Sequence, residues 1–194
     1  MIKKFLLLIC FPFLVPAQTW QQLPDFPSTK RDDGVAVVVN NKAYVGTGLQ
    51  EWNTTIDFYS YDHLTNKWKS ISTMPHTTER QYACAFAGNN CFYIFGGDGV
   101  GGSLNDIYKY EVITDKWSAM TPRSGQGIIG ASSFTFGDKT IICGGKYQSG
   151  KRNYEVWEYN ATTNSWLKKN NFPYPPVLRA SAAVIRGPRD GAPV

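Results

Sequence analysis

An eight-residue stretch that returns three times at one spacing constrains this chain more than any other feature. It reads YDHLTNKW at Tyr61–Trp68, YEVITDKW at Tyr110–Trp117 and YNATTNSW at Tyr159–Trp166. The tryptophans at 68, 117 and 166 are 49 residues apart each time, and Trp20 lies 48 residues before the first. A fixed period of this length signals repeated supersecondary units, none of which can bury its apolar face alone.

The same succession surrounds each copy. A run of small and β-branched residues comes first: RDDGVAVVVNN from Arg31, RQYACAFAGNN from Arg80, IGASSFTFGD from Ile129 and RASAAVIRG from Arg179. In the first three units a second run follows a Gly or Asn turn, as KAYVGTG, CFYIFGG and KTIICGG. Two such runs across a turn read as a hairpin. The closing glycines, Gly46 and Gly48, Gly96 and Gly97, Gly144 and Gly145, return at one phase. Glycine weakens a strand, so its return implies positive φ or a backbone passing close to a neighbour.

A variable loop (LQEWNTT, DGVGGSLN or KYQSGKRN) then leads to a third strand, IDFYSY, DIYKY or YEVWEY, and so to the opening motif. An Asp or Asn at the start of the motif's turn can accept from backbone two residues on, and a later Asn or Asp tolerates the left-handed conformation. The motif therefore predicts a tight hairpin into a fourth, outer strand. Its Tyr and Trp, at 61 and 68, 110 and 117, 159 and 166, are suited to filling the wedge between units while phenol or indole finds a polar partner. Four strands per unit predict an all-β chain of propeller blades.

Composition agrees: 14% aromatic residues, 18 Gly and 11 Pro fit short strands and frequent turns. The formal charge of +5 includes Lys3 and Lys4, and the remaining excess is scattered, which argues against nucleic acid or an anionic membrane as partner. Residues 1–17 have the parts of a signal peptide: Lys3 and Lys4, the apolar run FLLLICFPFLV, and Val15, Pro16 and Ala17 before cleavage. The apolar run is short and interrupted by Pro12, so no membrane span is expected after signal removal, and a secreted or periplasmic location is expected.

Glycine pair, Tyr and Trp in units near 50 residues resemble the kelch repeat, over residues 20 to about 187. The resemblance implies a closed ring of four-stranded antiparallel blades. On it, 18–30 is the leading outer strand of a split blade, 31–78, 79–127 and 128–176 are kelch blades, and 177–194 begins a truncated fourth. About three and a half blades point to a fragment, or else to a half-propeller that self-associates. Two departures stand out: Gly46-Thr47-Gly48 replaces adjacent glycines, and the third unit has no arginine where others have Arg31, Arg80 and Arg179.

Those three arginines carry the functional expectation. Each opens a first strand, so on the resemblance they meet at one mouth of the central channel, where guanidinium suits a carboxylate or phosphate. The competing reading is a repeat residue that pairs with a nearby loop carboxylate. Binding residues are also expected on the rim loops, at Glu51 and Trp52, Asp98, Lys146, Tyr147, Lys151 and Arg152. The resemblance extends to exported enzymes of the galactose oxidase and sialic acid epimerase types, for which Glu79 or Tyr82 would be the acid or base. His63 and His76 lack metal-ligand spacing, and no catalytic residue, metal or cofactor is assigned. Cys84, Cys91 and Cys143 are expected as buried free thiols, with Cys84 and Cys91 unopposed across their hairpin. The sequence thus predicts a noncatalytic recognition module for a carbohydrate or extracellular protein, an acidic ligand suiting it. The alternative is a piece of a secreted sugar-modifying enzyme.

Overall fold

The computed structural model describes residues 20–182. The expected signal peptide and the end of the last segment lie outside the described residues. Within them the regular elements are strands, and three four-stranded antiparallel sheets follow one another along the chain. Blade one is Val35–Val39, Lys42–Gly46, Phe58–Asp62 and Lys67–Ile71. Blade two is Cys84–Gly88, Cys91–Phe95, Ile107–Glu111 and Lys116–Ala119. Blade three is Ser132–Phe136, Lys139–Cys143, Trp157–Asn160 and Ser165–Lys168. The first strands of the three blades are neighbours, which makes them innermost. Together the described residues form an arc of propeller blades that does not close into a ring.

The second strands show why the blades stack. In blade two all five residues of Cys91–Phe95 are buried, because both faces of that sheet are covered. Phe92 and Ile94 point to blade one, into a cluster with Val35, Val39, Tyr44 and Phe58. Cys91, Tyr93 and Phe95 point to blade three, with Ile142 and Tyr159. In Lys42–Gly46 and Lys139–Cys143 burial alternates with the pleat, one face in and one out. Burying an aromatic such as Phe92 contributes about 1.5–3 kcal/mol, so these interblade layers are the main apolar stabilisation.

The repeated motif is the latch between blades. Tyr61, Tyr110 and Tyr159 donate their hydroxyls to Asn66, Asp115 and Asn164 at 2.5, 2.7 and 3.0 Å. Those three acceptors sit at φ of 55°, 54° and 50°, the left-handed corner of the turn. Asp115 and Asn164 also accept from the backbone of Ser72 and Thr121 in the preceding unit. The indoles of Trp68, Trp117 and Trp166 donate to the carbonyls of Pro24, Ser72 and Thr121 at 3.1, 2.8 and 2.8 Å. Turn, ring and neighbour are thereby fixed by one constellation, with the tryptophans half-buried.

The glycine phase is clearest at Gly97, where φ is +102° and a Cβ would lie 2.6 Å from the Gln81 carbonyl. Its N–H donates across to Ile128 of the next unit, as Gly48 does to Arg80 and Gly145 to Val177. These bonds correct the pairing of repeats. Gly46 is a strand residue level with Phe95 and Cys143, and Thr47, buried at φ +54°, takes the place of the first glycine.

The leading segment differs from expectation. Residues 20–30 form no strand, and Trp20 is fully exposed. Every outer strand bonds to the third strand of its own blade, and no such strand precedes this segment among the described residues. It docks instead through Phe26, edge-on to Tyr59 and Trp68 at 5.0 and 5.2 Å. Residues 177–182 likewise carry no strand, and the rest of RASAAVIRG lies outside the described residues.

Candidate functional site at the axial mouth

At the end of the arc where each chain segment enters its first strand, backbone bonds climb from blade to blade. Tyr82 N–H donates to Asp33 C=O, Gly130 to Tyr82, and Arg179 to Gly130, at 3.0, 2.8 and 3.1 Å. All four residues have positive φ: 53°, 54°, 65° and 59°. Such a conformation is unusual for Asp, Tyr and Arg, and here the interblade ladder imposes it.

This staircase brings three side chains together. The Arg179 guanidinium lies 4.0 Å from the centre of the Tyr82 ring, and one of its nitrogens is 3.6 Å from Asp33 Oδ1. The Tyr82 phenol is held above its ordinary pKa, first because Asp33 accepts its proton in a hydrogen bond and then by burial. Tyr82 therefore keeps its proton at neutral pH. The Arg179 side chain is 56% exposed and that of Asp33 is 16% exposed, so the cation is the accessible member.

The expected ring of Arg31, Arg80 and Arg179 does not assemble. Arg80 is fully buried: it grips both oxygens of Asp106 at 2.6 and 2.8 Å and donates to the carbonyls of Thr78 and Gly96. Arg31 grips Asp57 in the same way, at 2.7 Å twice. The pairing role is thus the one the structure gives both residues. Arg179 sits two residues beyond the equivalent of Arg80, which is Val177, and occupies the phase of Asp33 and Tyr82 instead. The one-letter alignment of RASAAVIRG with the earlier first strands is corrected accordingly.

Blade three keeps the buried pair by another route. Its acid is Glu155, and its arginine is Arg123, five residues upstream of Ile128, with 3.2 Å between Nη1 and Oε2. Each of the three guanidiniums also lies over an aromatic ring: Arg31 over Phe26, Arg80 over Tyr108 and Arg123 over Trp157. Sequence reading missed Arg123 and Asp33. A carboxylate at 57, 106 and 155 was the available signal for the first, and the repeated position two after Arg31 and Arg80 for the second.

The remaining rim candidates are dispersed. Trp52 is at the tip of a two-residue hairpin and is 92% exposed, beside Glu51. Asp98 is held in a short ladder opposite Gln81. Lys146 bridges Ile129 and Arg152. Tyr147 and Lys151 close the tip of the blade-three loop. His63 and His76 are exposed, Glu79 is half-buried, and Cys84, Cys91 and Cys143 are free thiols. Burial pushes the Cys84 thiol up to about 12, leaving it unreactive.

Strand order, interblade latches and glycine corners define a kelch-type β-propeller. The chain belongs to the kelch-repeat family: the KLHDC2/KLHL20/DRC7 Kelch-repeats domain matches residues 8–188. It is similar to the N-acetylneuraminate epimerase of Yersinia enterocolitica (serotype O:8 / biotype 1B), 36% identical over 61 residues, 28% of this chain and 16% of that protein. It also superposes on the solved structure of YjhT with a TM-score of 0.69 at 19% identity, covering 80% of this chain and 56% of that one. The chain thus spans a little over half of YjhT, and that likeness establishes the fold.

Proposed function

We propose that this chain is an exported kelch module that recognises, without catalysis, a carboxylate-bearing carbohydrate or extracellular protein at its axial mouth. The observation that carries this reading is Arg179. Its guanidinium is left largely in solvent, held among the described residues by a 3.6 Å ion pair to Asp33 and by the Tyr82 ring, whereas the side chains of Arg31, Arg80 and Arg123 are buried. A ligand carboxylate can take a bidentate pair there in place of Asp33. Tyr82, protonated and stacked beneath, supplies a neutral donor rather than a base.

A second reading, part of a sugar-epimerising enzyme, is favoured by the similarity to N-acetylneuraminate epimerase. The two separate by incubating the chain with N-acetylneuraminate. Saturable binding with no epimerisation above the uncatalysed rate supports recognition, and catalysed epimerisation supports the enzyme. A thermal-shift screen of acidic peptides beside N-acetylneuraminate distinguishes a protein ligand from a sugar.

A further inference from the structure

A second feature, on the outer rim of blade three, is independent of the axial mouth. The connection through Ser124 and Gln126, the loop tip closed by Tyr147 N–H donating to Lys151 C=O, and the third and fourth strands at Trp157 and Lys168 wall an open cleft of about 770 Å³. Small-ligand sites commonly measure about 300–1,000 Å³.

Blades one and two neutralise their buried arginine with a two-pronged aspartate. Blade three does not. Glu155 reaches Arg123 by one oxygen, and its carboxylate also accepts from the Trp157 indole at 3.1 Å and from Lys168 Nζ at 2.5 Å. Arg123 Nε is buried without a partner, as is Arg31 Nε in blade one. Lys151, exposed on the cleft wall, has no ion pair among the described residues. One carboxylate is thus shared by Arg123, Lys168 and Trp157, with a further ammonium at the wall, so the cleft carries surplus positive charge.

We propose that this cleft binds an anionic saccharide unit: its carboxylate pairs with Lys151 and Lys168, and its hydroxyls bond to Ser124, Gln126 and the remaining lone pair of Glu155 Oε1. The amphipathic Tyr147 ring flanks the sugar. Hydroxyl and amide donors beside two solvent-facing ammoniums suit a ligand that is polyhydroxylated and charged, where a bare anion would use the ammoniums alone.

The test follows the Trp157 indole N–H resonance of the full chain while trigalacturonic acid, neutral galactotriose or inorganic sulfate is added. Trigalacturonic acid should shift it saturably and galactotriose should not. Joint replacement Lys151→Ala and Lys168→Ala should weaken binding at least tenfold, and Lys168→Arg should retain it. Both lysines are solvent-facing, so folding is preserved and is checked by the unshifted remaining indoles. The proposal is overturned if galactotriose binds equally, if the double replacement has no effect, or if sulfate matches trigalacturonate, which would make the cleft a simple anion site.

Discussion

Two arginines in the same one-letter context can be a buried strut or a solvent-facing cation, and burial tells them apart. Arg80 has no exposed surface, so removing its partner leaves an uncompensated internal charge. Asp106→Ala should cost about 3 kcal/mol, the lower end for a broken buried pair because Asp106 is one-third exposed. Arg179→Ala should cost less than about 1 kcal/mol, as for a surface ion pair. Urea unfolding of both variants measures the contrast. The pairs also set an acid limit. Burial pushes Asp57 upward, but hydrogen bonds and charge from Arg31 outweigh it and hold the carboxyl below its usual range. Glu155 behaves likewise, with Lys168 and Trp157 prevailing over burial. A carboxyl depressed in the folded state stabilises fully above its unfolded pKa of about 4. Stability should therefore hold from pH 7 to about 5 and fall as pH drops through the depressed folded values. Replacing Asp57 with Asn should lower stability at neutral pH and flatten that acid loss, which denaturation at stepped pH would show.

The strands and their latches were largely legible because each rests on local chemistry. The motif announced a left-handed turn corner, and Asn66, Asp115 and Asn164 occupy it. What the string could not give was the pairing of blade against blade. The tryptophans repeat every 49 residues, yet Gly97 and Gly145 are 48 apart, and the equivalent of Arg80 moves to Ile128 and then Val177. Interblade backbone bonds, rather than residue identity, decide that register, and this is why Arg179 was aligned with the wrong partners and Asp33 overlooked. The latch itself can be measured. Trp117→Phe keeps a ring against Phe58 and Phe92 but removes the donor to Ser72. It should cost about 1 kcal/mol in chemical unfolding, and an unchanged midpoint would assign the indole's value to packing alone.

At the scale of the molecule, stacked blades present two surfaces of different design. The axial mouth is made by convergence, one residue from each of successive blades, so its chemistry depends on how many blades meet there. The blade-three cleft is made where the connection from the preceding unit meets blade three, by exchanging Asp for Glu and moving the arginine upstream. Neither could be recognised from a motif, since the repeat pattern reports packing and leaves the rim free to vary. The proposed recognition at the mouth depends most heavily on Arg179 as its ligand-facing cation. Isothermal titration of N-acetylneuraminate and of an acidic peptide into the wild-type chain and Arg179→Ala tests it directly. At least one ligand should bind the wild type and lose at least tenfold in affinity in the variant, with unfolding unchanged. Equal affinity for both proteins would contradict a ligand-binding role for Arg179.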